Sequence, residues 1–380
     1  MKIGFDVSQT GSNRAGCGFY ADTLIRNLAT HYPKDQFYLY KTFGNTYWDP
    51  DYRQRIANLP LDNCHYLQNF KYREDAFNFW GDFRGVDSTK IGSPDVVHAN
   101  NFSSPRLSQT RLVYTVYDLS FIDIPECTTE ENRHHCFTGM FGASLWADAV
   151  VAISDYSRQR FLDNFPHFPA ERAVVAHLGN RLPVDGPVAP VLALNTAQPF
   201  FLAVGTLEPR KNLRRLLAAY QCYTTAAKEP KSLVLAGGAG WLEGDLKAYI
   251  ETLQLQDRVH VLGYVSDATL RWLYQHCWAF VYPSLYEGFG LPVLEAMAAG
   301  AATITSHTTS LPEVGGDAVL YVDPLDEDSI TKALDLVEDI DYRRMLQERC
   351  RYQARRFSWT TTAKTVYQAY EIALALPSRL

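Results

Sequence analysis

Two glutamates, Glu287 and Glu295, stand with seven residues between them in the run from Ala279 to Gly300. That run passes from an apolar strand through Gly288-Phe289-Gly290-Leu291-Pro292 into a short helix that Gly300 brings to a stop. Proline in a first turn and glycine beyond a last turn are the usual helix punctuation. The backbone amides of Gly288, Phe289, Gly290 and Leu291 then lie at the mouth of the helix, where phosphate is favoured. Glu295, about one turn in, is placed to accept hydrogen bonds from vicinal hydroxyls such as those of a ribose, and Glu287 sits in the loop before it. Favourable interaction with the helix dipole would account for a lone glutamate. It does not account for Gly, Phe, Gly and Pro in order between two carboxylates at the end of a strand.

A cationic pair, Arg210 and Lys211, belongs to Gly205-Thr206-Leu207-Glu208-Pro209-Arg210-Lys211-Asn212, which follows another apolar strand and leads into an amphipathic helix with Asn212 at its N-cap. A forked guanidinium beside an ammonium suits a diphosphate and the charge that grows as it leaves, although on an ordinary loop the same pair is only solvated. Gly11 to Tyr20 separates the first strand from the first helix, and Gly16 and Gly18 would permit close backbone approach. It is neither a Walker P-loop nor a clean dinucleotide fingerprint, and alone it also reads as a flexible turn. A further apolar strand ends in Tyr117-Asp118. Cys127, His134, His135 and Cys136 fit no usual zinc spacing. The Asp-x-Asp pairs at 49/51, 326/328 and 339/341 do not end apolar strands as a magnesium-nucleotide site requires. The expected site has no metal and no cofactor, with Arg210 and Lys211 in place of a cation.

The elements that must position these residues follow a βαβα rhythm. Strand-like runs cover 2–7, 36–42, 95–100, 111–117, 149–154 and 173–178, with helical spacing at 19–29 and 130–147. Three prolines and a glycine crowd the start of residues 183–199, a linker. The rhythm resumes with strands at 200–204, 232–236, 258–263, 279–283, 301–305 and 318–322, and helical spacing returns at 360–375. The aromatic stretch 66–85 has no clear period. Strands apolar on both faces imply parallel sheets covered by helices. The expected architecture is two doubly wound Rossmann-like domains, 1–182 and 200–357, facing across a cleft, with 358–380 packing back on the first domain. A length of 380 residues agrees with two domains.

Composition narrows the function. Lys plus Arg number 36 against 42 Asp plus Glu, a net charge of −6 that argues against coating nucleic acid. Asp6 interrupts the first apolar run too early for a signal peptide, and no run reaches the roughly 18 apolar residues of a membrane span. Seven scattered cysteines without Cys-x-x-Cys fit reduced thiols and a cytoplasmic protein.

The run from Glu287 to Glu295 resembles the E-x7-E motif of the family 4 glycosyltransferases, retaining enzymes of the GT-B fold. Gly205 to Asn212 and Leu311-Pro312-Glu313-Val314-Gly315-Gly316 resemble signatures of the same family, in the same order. The resemblance implies a hexosyltransferase acting on a nucleotide-diphosphate sugar and a saccharide or lipid-linked acceptor, with possible attachment to the inner face of the membrane. Its glycine loop would bring Gly16 and Gly18 against the donor phosphates. Its Glu295 would hold the ribose, the amides of Gly288 to Leu291 with Gly205, Thr206, Arg210 and Lys211 the diphosphate, and Glu287 the sugar. Family members commonly carry His-Asp where this chain has Tyr117-Asp118, so Tyr117 replaces a sugar contact while Asp118 is kept. The Gly-Thr-x-Glu-Pro-Arg-Lys-Asn form resembles bacterial mannosyltransferases of polysaccharide assembly, favouring GDP-mannose. A UDP-glucose-type transferase and a catalytically silent sugar-binding subunit are the alternatives.

Overall fold

The computed structural model describes residues 1–11, 16–44, 59, 61–67, 70, 72–82, 84–183, 185–191, 199–238, 240 and 246–377. The chain forms two compact units, Met1–Asp123 with Glu130–Gly179 and Ser358–Leu380, and Ile124–Thr129 with Asn180–Phe357.

In the first unit the strands are β1 (Lys2–Asp6), β2 (Gln36–Tyr40), β3 (Cys64–Leu67), β4 (Val96–Ala99), β5 (Arg111–Val116), β6 (Ala149–Ala152) and β7 (Ala173–Val175). They lie in the order β3-β2-β1-β4-β5-β6-β7, all parallel. β4 and β6 are buried at every position, which is why their sequences lack polar alternation. In the second unit β8 (Phe200–Val204), β9 (Ser232–Ala236), β10 (Val259–Gly263), β11 (Ala279–Tyr282), β12 (Thr303–Ser306) and β13 (Leu320–Val322) form a parallel sheet in the order β10-β9-β8-β11-β12-β13. The two doubly wound sheets match the expected fold class. No described helix is long and apolar enough to cross a membrane.

Two features depart from the sequence reading. β3 is absent from it, because half-exposed Cys64–Leu67 carries little apolar signal. Within the stretch 66–85 a helix forms over Arg73–Trp80, directed by Ala76 and Trp80 on its buried side, Trp80 meeting the Tyr40 ring edge-on at 5.5 Å. The Asp-x-Asp pairs 326/328 and 339/341 are helix caps: Asp326 and Asp339 accept the amides of Asp328 and Asp341 at the starts of Glu327–Leu336 and Ile340–Ala354. Asp49 and Asp51 lie outside the described residues.

The C-terminal helix Trp359–Ala375 packs on the helix Gly16–His31 and on β5 and β6 of the first unit. Tyr367 stacks on Tyr32 with ring centroids 3.6 Å apart. Beneath it His98 of β4 is fully buried, one ring nitrogen 2.7 Å from the Tyr370 hydroxyl and the other 2.7 Å from that of Thr115. Burial holds the imidazole down to about 3 from an ordinary value of 6.5.

Between those values the unfolded chain binds the proton and the folded chain does not, so His98 contributes stability that is present above pH 6.5 and is lost as pH falls toward 3. Urea unfolding followed from pH 7 to 4 should show a falling midpoint, with a flatter dependence in His98→Gln. His98→Ala should cost roughly 2–4 kcal/mol at neutral pH, because the buried Tyr370 and Thr115 hydroxyls each lose a hydrogen bond and a cavity opens.

Candidate active site

The second sheet reverses its order between β8 and β11, and the loops that leave the carboxyl ends of these two strands carry most of the expected site residues. Such a switch point is where doubly wound sheets bind ligands. Gly205, at φ 142°, turns the chain out of β8, and a Cβ on Gly237 would lie 1.8 Å from the Gly205 carbonyl oxygen. The two turns therefore pack backbone to backbone, with half-buried Thr206 following.

A short 3-10 turn, Pro209–Lys211, then sends its cations toward the loop after β11. The Lys211 ammonium donates to Glu287 Oε1 and to the Tyr282 hydroxyl, both at 2.6 Å. Tyr282 and Ser284 donate their hydroxyls to the same Oε1 at 2.8 and 2.7 Å. Arg210 Nη1 pairs with Glu287 Oε2 at 2.9 Å, and its Nη2 pairs with Glu208 at 2.7 Å. Glu208, Lys211 and Glu287 are all buried. Burial by itself raises the Glu287 carboxyl, but the charges of Arg210 and Lys211 and the donated hydrogen bonds outweigh it and leave it at about 2. Burial and the charge of Arg210 lower Lys211, against the pull of Glu287 and Glu208.

This arrangement revises two expectations. Arg210 and Lys211 are not equally placed to meet a diphosphate: Lys211 is buried and committed to Glu287, while Arg210 keeps 23% of its side chain exposed. Asn212 precedes the helix Leu213–Ala226 but has φ 60° and makes no side-chain cap. Its amide instead donates to the Pro283 and Pro324 carbonyls at 3.0 and 2.7 Å, pinning the β11 loop. Ser310 donates to the Glu287 carbonyl at 2.8 Å from the opposite side.

Past Gly288 and Phe289 the chain enters the helix Leu291–Ala299 through Gly290, whose φ of 102° suits glycine alone and whose added Cβ would meet Leu311 at 2.7 Å. Pro292 lies in the first turn and Gly300 ends the helix at φ 85°. Glu295 is buried in the middle of this helix. Its Oε1 accepts Arg181 Nε at 2.9 Å and its Oε2 the Tyr274 hydroxyl at 3.2 Å, while Arg181 Nη1 reaches Asp267 at 2.7 Å. Burial raises the Glu295 carboxyl against the opposing pull of Arg181 and Tyr274. Arg181, Tyr274, Tyr282 and Ser284 were not singled out in the sequence. Tyr282 and Ser284 lie at the end of a predicted strand, where alternation toward Glu287 is the only trace, and Arg181 stands beside a proline-rich linker with no periodic signal.

In the first unit Gly16 and Gly18 begin the helix Gly16–His31, and a Cβ on Gly16 would meet nothing within 4 Å. The Tyr117 hydroxyl proton is already committed: its buried hydroxyl donates to the Asn100 carbonyl at 2.8 Å. Asp118 accepts the amide and hydroxyl of Ser120 at 3.0 and 2.8 Å, opening the short helix Ser120–Asp123. All seven cysteines are free thiols.

The folds define the class: two doubly wound parallel sheets of the GT-B type, as in a sucrose-phosphate synthase from Thermosynechococcus elongatus, whose structure aligns over 98% of both chains with a TM-score of 0.73 at 22% identity. Residues 188–357 match the model for glycosyl transferases group 1. The O-antigen chain mannosyltransferase B of Escherichia coli is 35% identical over 98% of this chain and 100% of its own length. A serotype-specific mannosyltransferase, WbdA, of the same species is 31% identical over 59% of this chain and 29% of its own. The chain belongs to the group 1 glycosyl transferases, and it is a hexosyltransferase.

Removing the Glu287 charge leaves two cations facing each other beneath the loop. Glu287→Gln should cost about 3–5 kcal/mol in urea unfolding, and the double variant with Lys211→Met should cost less than the two single losses added together.

Proposed function

We propose that this enzyme transfers mannose from GDP-mannose to a hydroxyl of a saccharide or lipid-linked saccharide acceptor, with retention at the anomeric carbon. The observation that carries the reading is the meeting of Arg210, Lys211 and Glu287 from the β8 and β11 loops at the switch point of the second sheet. The mannosyltransferase names of its relatives support the sugar.

In this reading the donor lies along the β11 loop. Glu295 takes the ribose hydroxyls, the amides of Gly288 to Leu291 face the diphosphate together with Gly205 and Thr206, and Arg210 supplies the neighbouring positive charge. Lys211 acts from beneath, fixing Glu287 in its ionised form, and Glu287 takes the sugar hydroxyls. As the glycosidic bond breaks, positive charge grows on the sugar and negative charge on the departing phosphate. The anionic Glu287 and the Arg210 and Lys211 cations are matched to these two signs. No protein nucleophile is assigned; a departing phosphate oxygen takes the acceptor's proton as the acceptor attacks from the same face. No metal or cofactor enters the scheme. The enzyme works in the cytoplasm, at the inner face of the membrane when its acceptor is lipid-linked.

A thermal-shift panel of GDP, UDP and ADP with their sugar conjugates tests the donor. GDP and GDP-mannose should raise the melting temperature selectively, and GDP release from GDP-mannose should require a saccharide acceptor. A selective shift with UDP sugars would replace the donor, and binding without turnover on any acceptor would make the chain a sugar-binding subunit. Arg210→Ala should lower kcat/KM by roughly 10²–10³-fold.

A further inference from the structure

Glu295 does not stand open in its helix. A carboxylate oxygen has two lone-pair positions, and each oxygen of Glu295 spends one on the protein, Oε1 on Arg181 and Oε2 on Tyr274. The second position on each is left for a ligand, which is the geometry that two adjacent hydroxyls satisfy. Arg181 is held in turn by Asp267, half exposed at the start of the helix Asp267–His276, so its guanidinium bridges two carboxylates on different helices. Only 10% of the Arg181 side chain is exposed, and only 3% of that of Glu295. Such a pair, once buried, has fixed rotamers.

We propose that Arg181 is a positioning residue for donor binding, aiming the Glu295 carboxylate so that both of its oxygens accept from the vicinal hydroxyls of a nucleotide ribose. The proposal rests on the reading of Glu295 as the ribose ligand. Two physical effects carry it. The forked donor set fixes the plane of the carboxylate, since Nε binds one oxygen while Nη1 is anchored to Asp267. The guanidinium charge also opposes the burial that favours a protonated Glu295, and a protonated carboxyl would offer a donor where the diol needs acceptors. The charged and titratable groups facing Glu295 are Arg181, Asp267 and Tyr274. Lysine in place of Arg181 would keep the charge without spanning both carboxylates.

Titration calorimetry of the full chain with GDP, 2′-deoxy-GDP and 3′-deoxy-GDP separates this role from general support of the fold. The wild type should bind GDP about 10- to 100-fold more tightly than either deoxy form, the loss expected for a hydrogen bond to a charged group. In Arg181→Gln the GDP affinity should fall to the level of the deoxy forms, with their own affinities nearly unchanged, so that the ratio approaches one. Arg181→Lys should give an intermediate ratio, and it decides the matter if the glutamine variant does not fold. A wild-type ratio retained in a folded variant overturns the role of Arg181. A ratio of one in the wild type overturns the ribose reading of Glu295 and this proposal with it, and absence of GDP binding overturns the donor.

Discussion

The site of this enzyme hangs on one buried carboxylate. Glu287 receives Lys211, Tyr282 and Ser284 on one oxygen and Arg210 on the other, so a single side chain ties the turn after β8 to the loop after β11. Burying an ion costs several kcal/mol, and the pair offsets this only with good geometry and further hydrogen bonds. Here both conditions are met, and the surrounding backbone serves them: Asn212 and Ser310 hold the loop from two sides, and Gly205 and Gly237 let the strand ends approach closely enough for the contacts to form.

The same arrangement separates the two cations in placement. Lys211 is enclosed beneath Glu287, and its charge acts through the carboxylate it holds. Arg210, paired with Glu208 and Glu287, keeps part of its guanidinium at the surface. A site built this way has its charges oriented before a ligand arrives, and little reorganisation remains for the moment when charge separates in a reaction.

Much of this was legible in the sequence, and the limits have physical causes. Among the described residues twelve of thirteen strands could be read because strands buried on both faces are continuous apolar runs; half-exposed β3 gave no such run. Glu287, Glu295, Arg210 and Lys211 stand out by type and spacing in the segments that follow strand ends, Glu295 within the helix Leu291–Ala299. What they touch was not found, because Arg181 meets Glu295 across 114 residues and no local pattern encodes a contact of that range. Residue type also misled: Asn212 before a helix reads as a cap, and the Tyr117 hydroxyl reads as a ligand contact, yet both are spent on backbone carbonyls.

The C-terminal helix Trp359–Ala375 belongs to the first unit, and Tyr370 in it is the partner of His98, 272 residues earlier. The first unit is thus assembled from segments on either side of the second unit's sequence. During synthesis on the ribosome all of Asn180–Phe357 emerges before that helix exists. The first unit is therefore completed only after the second has emerged, and until then the His98 side of its sheet lacks the cover that this helix will supply.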